Sequence, residues 1–308
     1  MLERINHITP KGEQPIPPWF FWRVFSKLWK HRHLIYDYAK RETLHKYKGS
    51  YLGFLWTLLT PLLFLLLYSF TFSILFGSSW LPPRVVALKE SAPQVGEGFG
   101  SFAMILFPGL IAFNLISETL NTSVGSFTDN PQYVRKMVFP LEVLPLGRTL
   151  SAFVNFIFGL IILLLGLIFV WGQVPATFPI VIITTIPILI LCTGLSFFVA
   201  SLSVFIRDVA HIIAVLTMAL FFVSPVFYSN SRFEMIILDY FPNASFWLRN
   251  IYRINPLTTL LDNTRLVTVY GVMPEWEWLG VTTLFSLIVF FVGFYFFQKS
   301  KKAFADVI

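Results

Sequence analysis

The chain has 308 residues, of which 56% are hydrophobic and only 13% are charged, and its mean hydropathy is +0.71. A soluble globular domain carries about 25% charged residues, so this composition excludes an ordinary soluble protein and predicts an all-α integral membrane protein. The net charge of +7 arises from an uneven distribution of Lys and Arg along the chain and is no argument for nucleic-acid binding.

Two segments precede the first apolar run. Residues 1–18 contain four prolines among scattered charges, which predicts a flexible N-terminal segment. Residues 19–50 predict an amphipathic interface helix region: apolar residues recur there at helical spacing opposite basic ones. Trp19, Trp22 and Trp29 favour a position among lipid head groups over an ordinary solvated helix. The i,i+4 pairs Asp37–Arg41 and Glu42–Lys46 support a further helical stretch.

Six predominantly apolar runs follow, each close to the roughly 20 helical residues that cross a bilayer. They are residues 51–76, 102–120, 151–171, 178–205, 209–228 and 278–297, so residues 51–308 predict a domain of six transmembrane helices. Pro61, Pro108, Pro187 and Pro225 lie inside these runs and predict bent helices packed in a bundle.

A short helix is predicted in the loop between the second and third runs. Asn130 is a candidate N-cap and Pro131 suits the first helical position. Tyr133 and Met137 would share one side of this helix, with Arg135 and Lys136 beside them. Such a helix can press into a partner protein or simply close the loop, and the residues alone leave both interpretations open.

Residues 229–277, after the fifth run, are too many for a structureless connection. Their apolar patches at 233–241 and 257–269 are too short to span the membrane, so short external or re-entrant helices are predicted. Asn255 and Pro256 predict the start of one helix, with Leu257, Leu260 and Leu261 on one face. Residues 77–101, rich in proline and glycine, predict a loop.

The distribution of positive charge predicts the orientation. Seventeen of the 23 Lys and Arg residues fall on the side that holds both termini. Because Lys and Arg accumulate in cytoplasmic loops, both termini of this multi-pass protein are expected in the cytoplasm.

Several chemistries are missing from the sequence. It has no P-loop motif for ATP and no histidine or cysteine pattern typical of a metal site, and its single cysteine, Cys192, lies in an apolar run. We therefore predict no catalytic residue, no metal and no cofactor in this chain. Carboxylates near the membrane midplane would be expected in a secondary transporter or channel, and an acidic or metal cluster in a membrane-embedded glycan-modifying enzyme. Neither is visible, so both alternatives are disfavoured.

Aromatic residues mark the first and fifth runs. Phe64, Tyr68, Phe72 and Phe76 recur every four residues, and the outer part of the fifth run contains Phe221, Phe222, Phe227 and Tyr228. Lipid contact and helix packing explain such residues. A channel lined by aromatic faces, along which sugar rings slide, is the second interpretation.

The order of motifs resembles the membrane (permease) subunit of ABC exporters of lipid-linked polysaccharides, the type-2 ABC permease family. This family includes O-antigen, capsule and teichoic-acid exporters. The resemblance is carried by LIYDYAKRETLHKYKGSYLGFLWTLLTPLL, VRKMVFPLEVLP, RDVAHIIAVLTMALFFVSPVFYS, INPLTTLLDNTR and FQKSKKAFADVI, in this order from Leu34 to Ile308.

The resemblance implies a homodimer that exports lipid-linked polysaccharide, with O-antigen on undecaprenyl diphosphate ranked first and capsule or teichoic acid as alternatives. It implies two ABC ATPase subunits that bind ATP and Mg, and a location in the bacterial cytoplasmic (inner) membrane. It implies that the first and fifth spans line the path, which favours the channel interpretation of the eight aromatic residues. The residues expected to couple to the ATPase are Tyr133, Arg135, Lys136, Met137, Lys40, Arg41, Arg207 and Asp208. The long N-terminal extension and residues 77–101 depart from the family pattern and leave the substrate open.

Overall fold

The computed structural model describes residues 26, 29–46, 48–75, 99–135, 139–228, 237–243, 245 and 250–307, without the side chains of residues 54, 72, 73, 75 and 305. These residues are nearly all helical, and no strand occurs among them. The predicted flexible segment 1–18 and most of the predicted loop 77–101 lie outside the described residues.

The helices are, in chain order, α1 (Arg32–His45), α2 (Trp56–Ser69), α3 (Phe99–Ser123), α4 (Pro131–Val134), α5 (Val143–Trp171), α6 (Val181–Phe205), α7 (Val209–Val223), α8 (Pro256–Arg265), α9 (Trp276–Ser300) and α10 (Phe304–Val307). A 3-10 turn at Gly53–Leu55 leads into α2, which continues as a π-helical turn at Phe70–Leu75. A second π-helical turn, Leu266–Tyr270, extends α8, and the 3-10 turn Phe178–Ile180 precedes α6.

Four helices within the described ranges are long and apolar enough to cross a membrane. They are Phe99–Ser123, Val143–Trp171, Phe178–Phe205 and Trp276–Ala303, and they correspond to the second, third, fourth and sixth predicted runs. The helices α2 and α7 are apolar but shorter. Pro61, Pro108 and Pro187 lie inside helices, as predicted.

At two helix ends the difference from the predicted runs has a cause that involves proline. The helix α5 begins at Val143 and not at residue 151, because Pro145 falls in its first turn, where proline removes no hydrogen bond. The helix α7 ends at Val223 and not at residue 228, because Ser224 is extended ahead of Pro225. Pro225 therefore follows α7, and the prediction that it bends a helix from within was wrong.

The helix α3 runs through the centre of the bundle. In its apolar window 83% of the residues are buried inside the protein, against 22% for α5. It contacts α2, α5, α6, α7 and α8. Small residues bring α6 and α9 together: a Cβ atom at Gly293 would lie 2.9 Å from the carbonyl carbon of Gly194, which is the close approach that glycine permits between membrane helices.

The helix α1 packs along the start of α5. The Tyr38 ring occupies the space beside Gly147, where a Cβ atom would lie 2.9 Å from Cε1 of the ring. One turn further on, the hydroxyls of Thr43 and Ser151 are 2.9 Å apart. Ion pairs also form differently from the prediction, because Glu42 pairs with Arg148 of α5 and Lys46 with Glu118 of α3. The basic end of the interface region is thereby held by tertiary contacts.

The C-terminal tail lies at the same end of the bundle as α1. Glu142, at the start of α5, accepts hydrogen bonds from Gln298 at 3.1 Å and Lys301 at 3.3 Å. The rings of Phe127 and Phe304 are 4.8 Å apart. The α3–α5 loop, α1 and the tail therefore share one end of the molecule.

The helix α8 starts where the sequence predicts. The Asn255 side chain accepts a hydrogen bond from the Leu257 backbone N–H at 3.0 Å, and Pro256 occupies the first turn. The leucine face is also confirmed, since Leu257, Leu260 and Leu261 are buried. These leucines belong to the central hydrophobic core, where α8 contacts α3, α6 and α9.

Candidate functional site

Two predicted coupling residues from distant segments meet at the α1 end of the bundle. Arg41 of α1 donates a hydrogen bond from Nη1 to the hydroxyl of Tyr133 in α4 at 2.5 Å. Its guanidinium also lies 4.9 Å from the centre of the Tyr38 ring and 5.4 Å from that of Tyr133. Such cation–π contacts are worth about 0.5–1 kcal/mol each at exposed sites. The hydrogen bond to Tyr133 raises the pKa of Arg41, so the guanidinium stays charged.

Further contacts extend this pair into a network that joins α1 to α5. Arg148 Nη1 lies 2.8 Å from a carboxylate oxygen of Glu42, and Glu42 follows Tyr38 by one helical turn. Burial raises the pKa of Tyr38, which keeps its phenol neutral. We call Tyr38, Arg41, Glu42, Tyr133 and Arg148 the interface network. It fixes α4 and the first turns of α5 to the interface helix.

The other predicted coupling residues are distributed around this network. Lys40 is exposed on α1, and Arg135 is exposed directly after α4. Arg207 and Asp208 are exposed in the turn between α6 and α7. Lys136 and Met137 lie outside the described residues. The start of the predicted short helix at Pro131 is confirmed, but the Asn130 amide donates to Ser126 and Tyr38 and does not cap it.

The two predicted aromatic groups form one cluster. The Phe64 and Tyr68 rings stack at 5.9 Å on α2, and Tyr68 lies 5.1 Å from Phe227. Phe221 is 5.9 Å from Tyr68 and 4.8 Å from Phe227. Packing of aromatic rings between α2 and the end of α7 therefore explains why aromatic residues occur at Tyr68, Phe221 and Phe227.

Other members of the predicted channel lining differ in exposure. Phe64 is 44% exposed and Phe222 is 62% exposed, so each offers a free ring face at the surface of the protomer. The Tyr228 hydroxyl donates to the Val223 carbonyl and so helps to close the turn after α7. The side chain of Phe72 and the whole of Phe76 lie outside the part of the chain that the structure describes. Whether the aromatic residues line a path stays a prediction.

Sequence reasoning missed a polar cavity between α2, α3 and α5. Its volume is about 350 Å³, and Lys46, Glu118 and Asn155 lie in its wall. The Glu118 carboxylate accepts hydrogen bonds from Lys46 and from the Asn155 amide, the latter at 2.7 and 2.9 Å. Asn155 is the residue from which the sequence could have indicated this cavity, because it is an amide in a predominantly apolar run.

Sequence reasoning also missed the position of Arg265. This side chain is only 1% exposed. Its guanidinium donates to the backbone carbonyls of Ile105 in α3 and of Pro225 and Val226 after α7. It thereby provides hydrogen-bond donors to backbone carbonyls in the non-helical segment after α7 and to one carbonyl of α3.

Within the described ranges, no group of three His, Cys, Asp or Glu side chains could hold a metal ion. The expected absence of a metal, a cofactor and a catalytic residue stays a prediction.

The sequence profile of the family described as ABC-2 type transporter matches residues 34–269. The chain belongs to the ABC-2 type transporter family. This assignment, together with the apolar helices, makes it a multi-pass membrane protein.

The matched range runs from α1 to the π-helical turn after α8, so it contains the interface network, the aromatic cluster and Arg265. The chain is 25% identical over 291 residues to the "O-antigen export system permease protein RfbA" of Myxococcus xanthus, covering 93% of this chain and 99% of that protein. It is also 25% identical over 268 residues to a protein of the same name from Klebsiella pneumoniae, covering 85% of this chain and 90% of that protein.

Proposed function

We propose that this chain is the permease subunit of an ATP-driven exporter that moves lipid-linked polysaccharide across the bacterial cytoplasmic membrane. The cargo ranked first is O-antigen on undecaprenyl diphosphate. The observation that carries this proposal is the match to the permease of Myxococcus xanthus, which extends over 93% of this chain and 99% of that protein. Capsule and teichoic acid are alternative cargoes of the same chemical class.

The proposed topology has six spans and both termini in the cytoplasm. The four long apolar helices supply four spans, while α2 with its π-helical extension and α7 with the turn after it supply the other two. The charge distribution favours cytoplasmic termini. The shared position of α1 and the tail at one end of the bundle agrees with this orientation.

ATP and Mg are proposed to bind to two ABC ATPase subunits that join a homodimer of this chain. The chain acts as a transport subunit and needs no catalytic residue of its own. The α4 turn, with Tyr133 and Arg135, would contact the ATPase, and Lys40, Arg207 and Asp208 would extend that surface. The interface network supports this role, because a displacement of Tyr133 is passed directly to Arg41 on the interface helix.

The exposed ring faces of Phe64 and Phe222 are proposed to face the glycan path. Aromatic faces are apolar and rigid, so a sugar ring can stack on them without a hydrogen bond that would have to break at each step. In a dimer, two copies of the aromatic cluster would contribute to this path.

The decisive experiment tests partnership and cargo together. We expect a reading frame beside the gene to encode a P-loop ATPase; the chain is co-expressed with that protein and purified through a tag on the permease. We expect the ATPase to co-purify and lipid-linked glycan to stimulate its ATP hydrolysis. A variant ATPase with its P-loop lysine replaced serves as the control and should abolish surface glycan. Export that continues with this variant would favour a secondary transporter and contradict the proposal.

A further inference from the structure

The cavity between α2, α3 and α5 is partly open and has a mixed lining. Thr57, Asn155 and the Lys46–Glu118 pair are among its polar residues, which we call the polar wall. The apolar residues that line it include Trp56, Phe64, Ile111, Leu115 and Phe156. Ligand pockets usually combine a mainly apolar lining with a few placed polar groups, in volumes of about 300–1,000 Å³. With about 350 Å³, the cavity falls at the small end of this range.

Two residues of the polar wall carry unsatisfied groups. The Thr57 side chain is 2% exposed, and its hydroxyl has no hydrogen-bond partner among the described residues. The carbonyl oxygen of the Asn155 side chain is likewise buried without a partner in the part of the chain that the structure describes. Buried polar groups without partners are rare in folded proteins. Both side chains line the cavity, although these two atoms are themselves buried. When the side chains turn toward the cavity, a ligand hydroxyl can accept a hydrogen bond from Thr57, and another can donate one to Asn155.

The charges of the wall are already balanced. Lys46 pairs with Glu118, and the Asn155 amide holds the same carboxylate in place. An anionic or cationic ligand would have to break this pair, whereas a neutral hydroxyl can add to it. A carboxylate has about four acceptor positions, so Glu118 can accept a further hydroxyl while it keeps its present contacts.

Aromatic surface completes the wall. Trp56 is 36% exposed and Phe64 is 44% exposed, and both line the cavity. The cavity thus combines aromatic surface with a fixed carboxylate, an amide oxygen and a hydroxyl. A sugar ring carries apolar C–H faces and a rim of hydroxyls, which matches this combination.

We propose that this cavity binds a neutral sugar residue of the exported glycan, and this inference rests on the proposed function. Thr57, Asn155 and Glu118 bind its hydroxyls, and Trp56 and Phe64 contact its ring. A smaller cavity of about 90 Å³ shares Lys46 and Glu118 with it and is also lined by Glu42 and Arg148 of the interface network. A sugar bound in the larger cavity would therefore lie beside Lys46 and Glu118, which also line the smaller cavity next to the interface network.

The variant Thr57→Val separates binding from structure, because valine keeps the shape and removes the hydroxyl. If the hydroxyl serves no ligand, its loss removes an unpaired buried group, so thermal stability should stay equal or rise and export should be unchanged. The proposal expects about fivefold slower appearance of surface glycan at equal protein level, the effect of losing one hydrogen bond. Thr57→Ser is the matched control, since it keeps the hydroxyl and should retain most of the export rate.

A photo-crosslinking amino acid at Thr60, an exposed residue of the cavity lining, tests occupancy directly. The control position is Leu284 on α9, which is 62% exposed, does not line this cavity and lies outside the two helices proposed to face the glycan path. Both variants are expressed in glycan-producing cells that also carry the wild-type chain, so that export continues. We expect an adduct that reacts with antibody to the glycan at position 60 and none at position 284.

Two outcomes would overturn the inference and leave the proposed function standing. One is wild-type export by Thr57→Val, and the other is a position-60 adduct that contains phospholipid without glycan. If the wild-type chain itself exports no glycan, the proposed function falls first, and this inference falls with it.

Discussion

The guanidinium of Arg265 occupies the space that a side chain at Gly109 would need. A Cβ atom at Gly109 would lie 2.8 Å from Cζ of Arg265 and closer still to Nη2. Gly109 follows Pro108 within α3, so the glycine leaves a notch in the central helix beside the buried cation. This notch lets Arg265 reach the carbonyls of Ile105, Pro225 and Val226 at once.

The substitution Gly109→Ala should therefore destabilise the protein. The added methyl group displaces the guanidinium from its carbonyl partners, and overpacking a filled site costs about 1–3 kcal/mol. Thermal unfolding of the purified protein in detergent would show a lower midpoint. Gly280→Ala in α9 is the matched control, since nothing lies within 4 Å of a Cβ atom there. Equal midpoints for the two variants would contradict this account of Gly109.

Replacing Arg41 or Tyr133 should weaken coupling more than folding. Arg41→Lys loses the planar guanidinium over the two rings, and Tyr133→Phe loses the hydrogen-bond acceptor. Arg41 is exposed, so we expect a stability loss of at most about 1 kcal/mol. Stimulation of the partner ATPase by lipid-linked glycan should fall in each variant.

The double variant Arg41→Lys/Tyr133→Phe provides the check on this pair. Residues that act through a shared contact are non-additive, so it should be no worse than the more affected single variant. Additive losses would show that the two residues act separately.

Two substitutions at Tyr68 distinguish a position in a hydrated glycan path from a position that is packed in the protein or faces lipid. Tyr68→Leu removes the ring that contacts Phe64, Phe221 and Phe227 and should slow glycan export without abolishing it. Tyr68→Asp should be tolerated if water reaches the site, whereas a carboxylate against lipid costs about 2.5–3.5 kcal/mol. The measurement pairs protein level with surface glycan. Normal glycan with leucine and loss of the protein with aspartate would defeat the channel interpretation.

Cysteine labelling tests the proposed orientation. Thr128, in the α3–α5 loop, and Asn243, in the segment after α7, are both exposed, while Ser126 nearby is buried and unsuitable. With buried Cys192 replaced by alanine, an impermeant maleimide should label Asn243→Cys in intact cells. Thr128→Cys should react only after the membrane is opened. Labelling of Thr128→Cys from outside would exclude cytoplasmic termini.

Features that depend on local sequence could be predicted. Asn255 and Pro256 start α8 as expected because a cap and a fixed backbone angle act within one turn. The runs at 102–120 and 178–205 became long helices because apolar composition over about 20 residues is itself the signal. The resemblance through residues 34–63 and 254–265 gave the family, which the profile match confirms.

Features that depend on partners distant in sequence could not be predicted. Glu42 and Lys46 are spaced for a pair within α1, yet they bind Arg148 and Glu118 because α1 packs on α5 and α3. Arg265 has the sequence context of an external helix, and its carbonyl partners lie 39 to 160 residues away. The polar cavity has the same origin, since Lys46, Glu118 and Asn155 come from three separate segments.

The interface network connects α1 to the α4 turn and to α5, so that α1 and the α4 turn would move together as one lever. Arg41 binds Tyr133 at one point, while Glu42 and Tyr38 hold the same helix to Arg148 and Gly147 of α5 at another. A push on Tyr133 would thus turn α1 about its contact with α5, and the far end of that lever is Lys46. Because Lys46 also pairs with Glu118 of α3, a rotation of α1 driven by the proposed ATPase contact would reach the cavity that we propose binds sugar through one short helix.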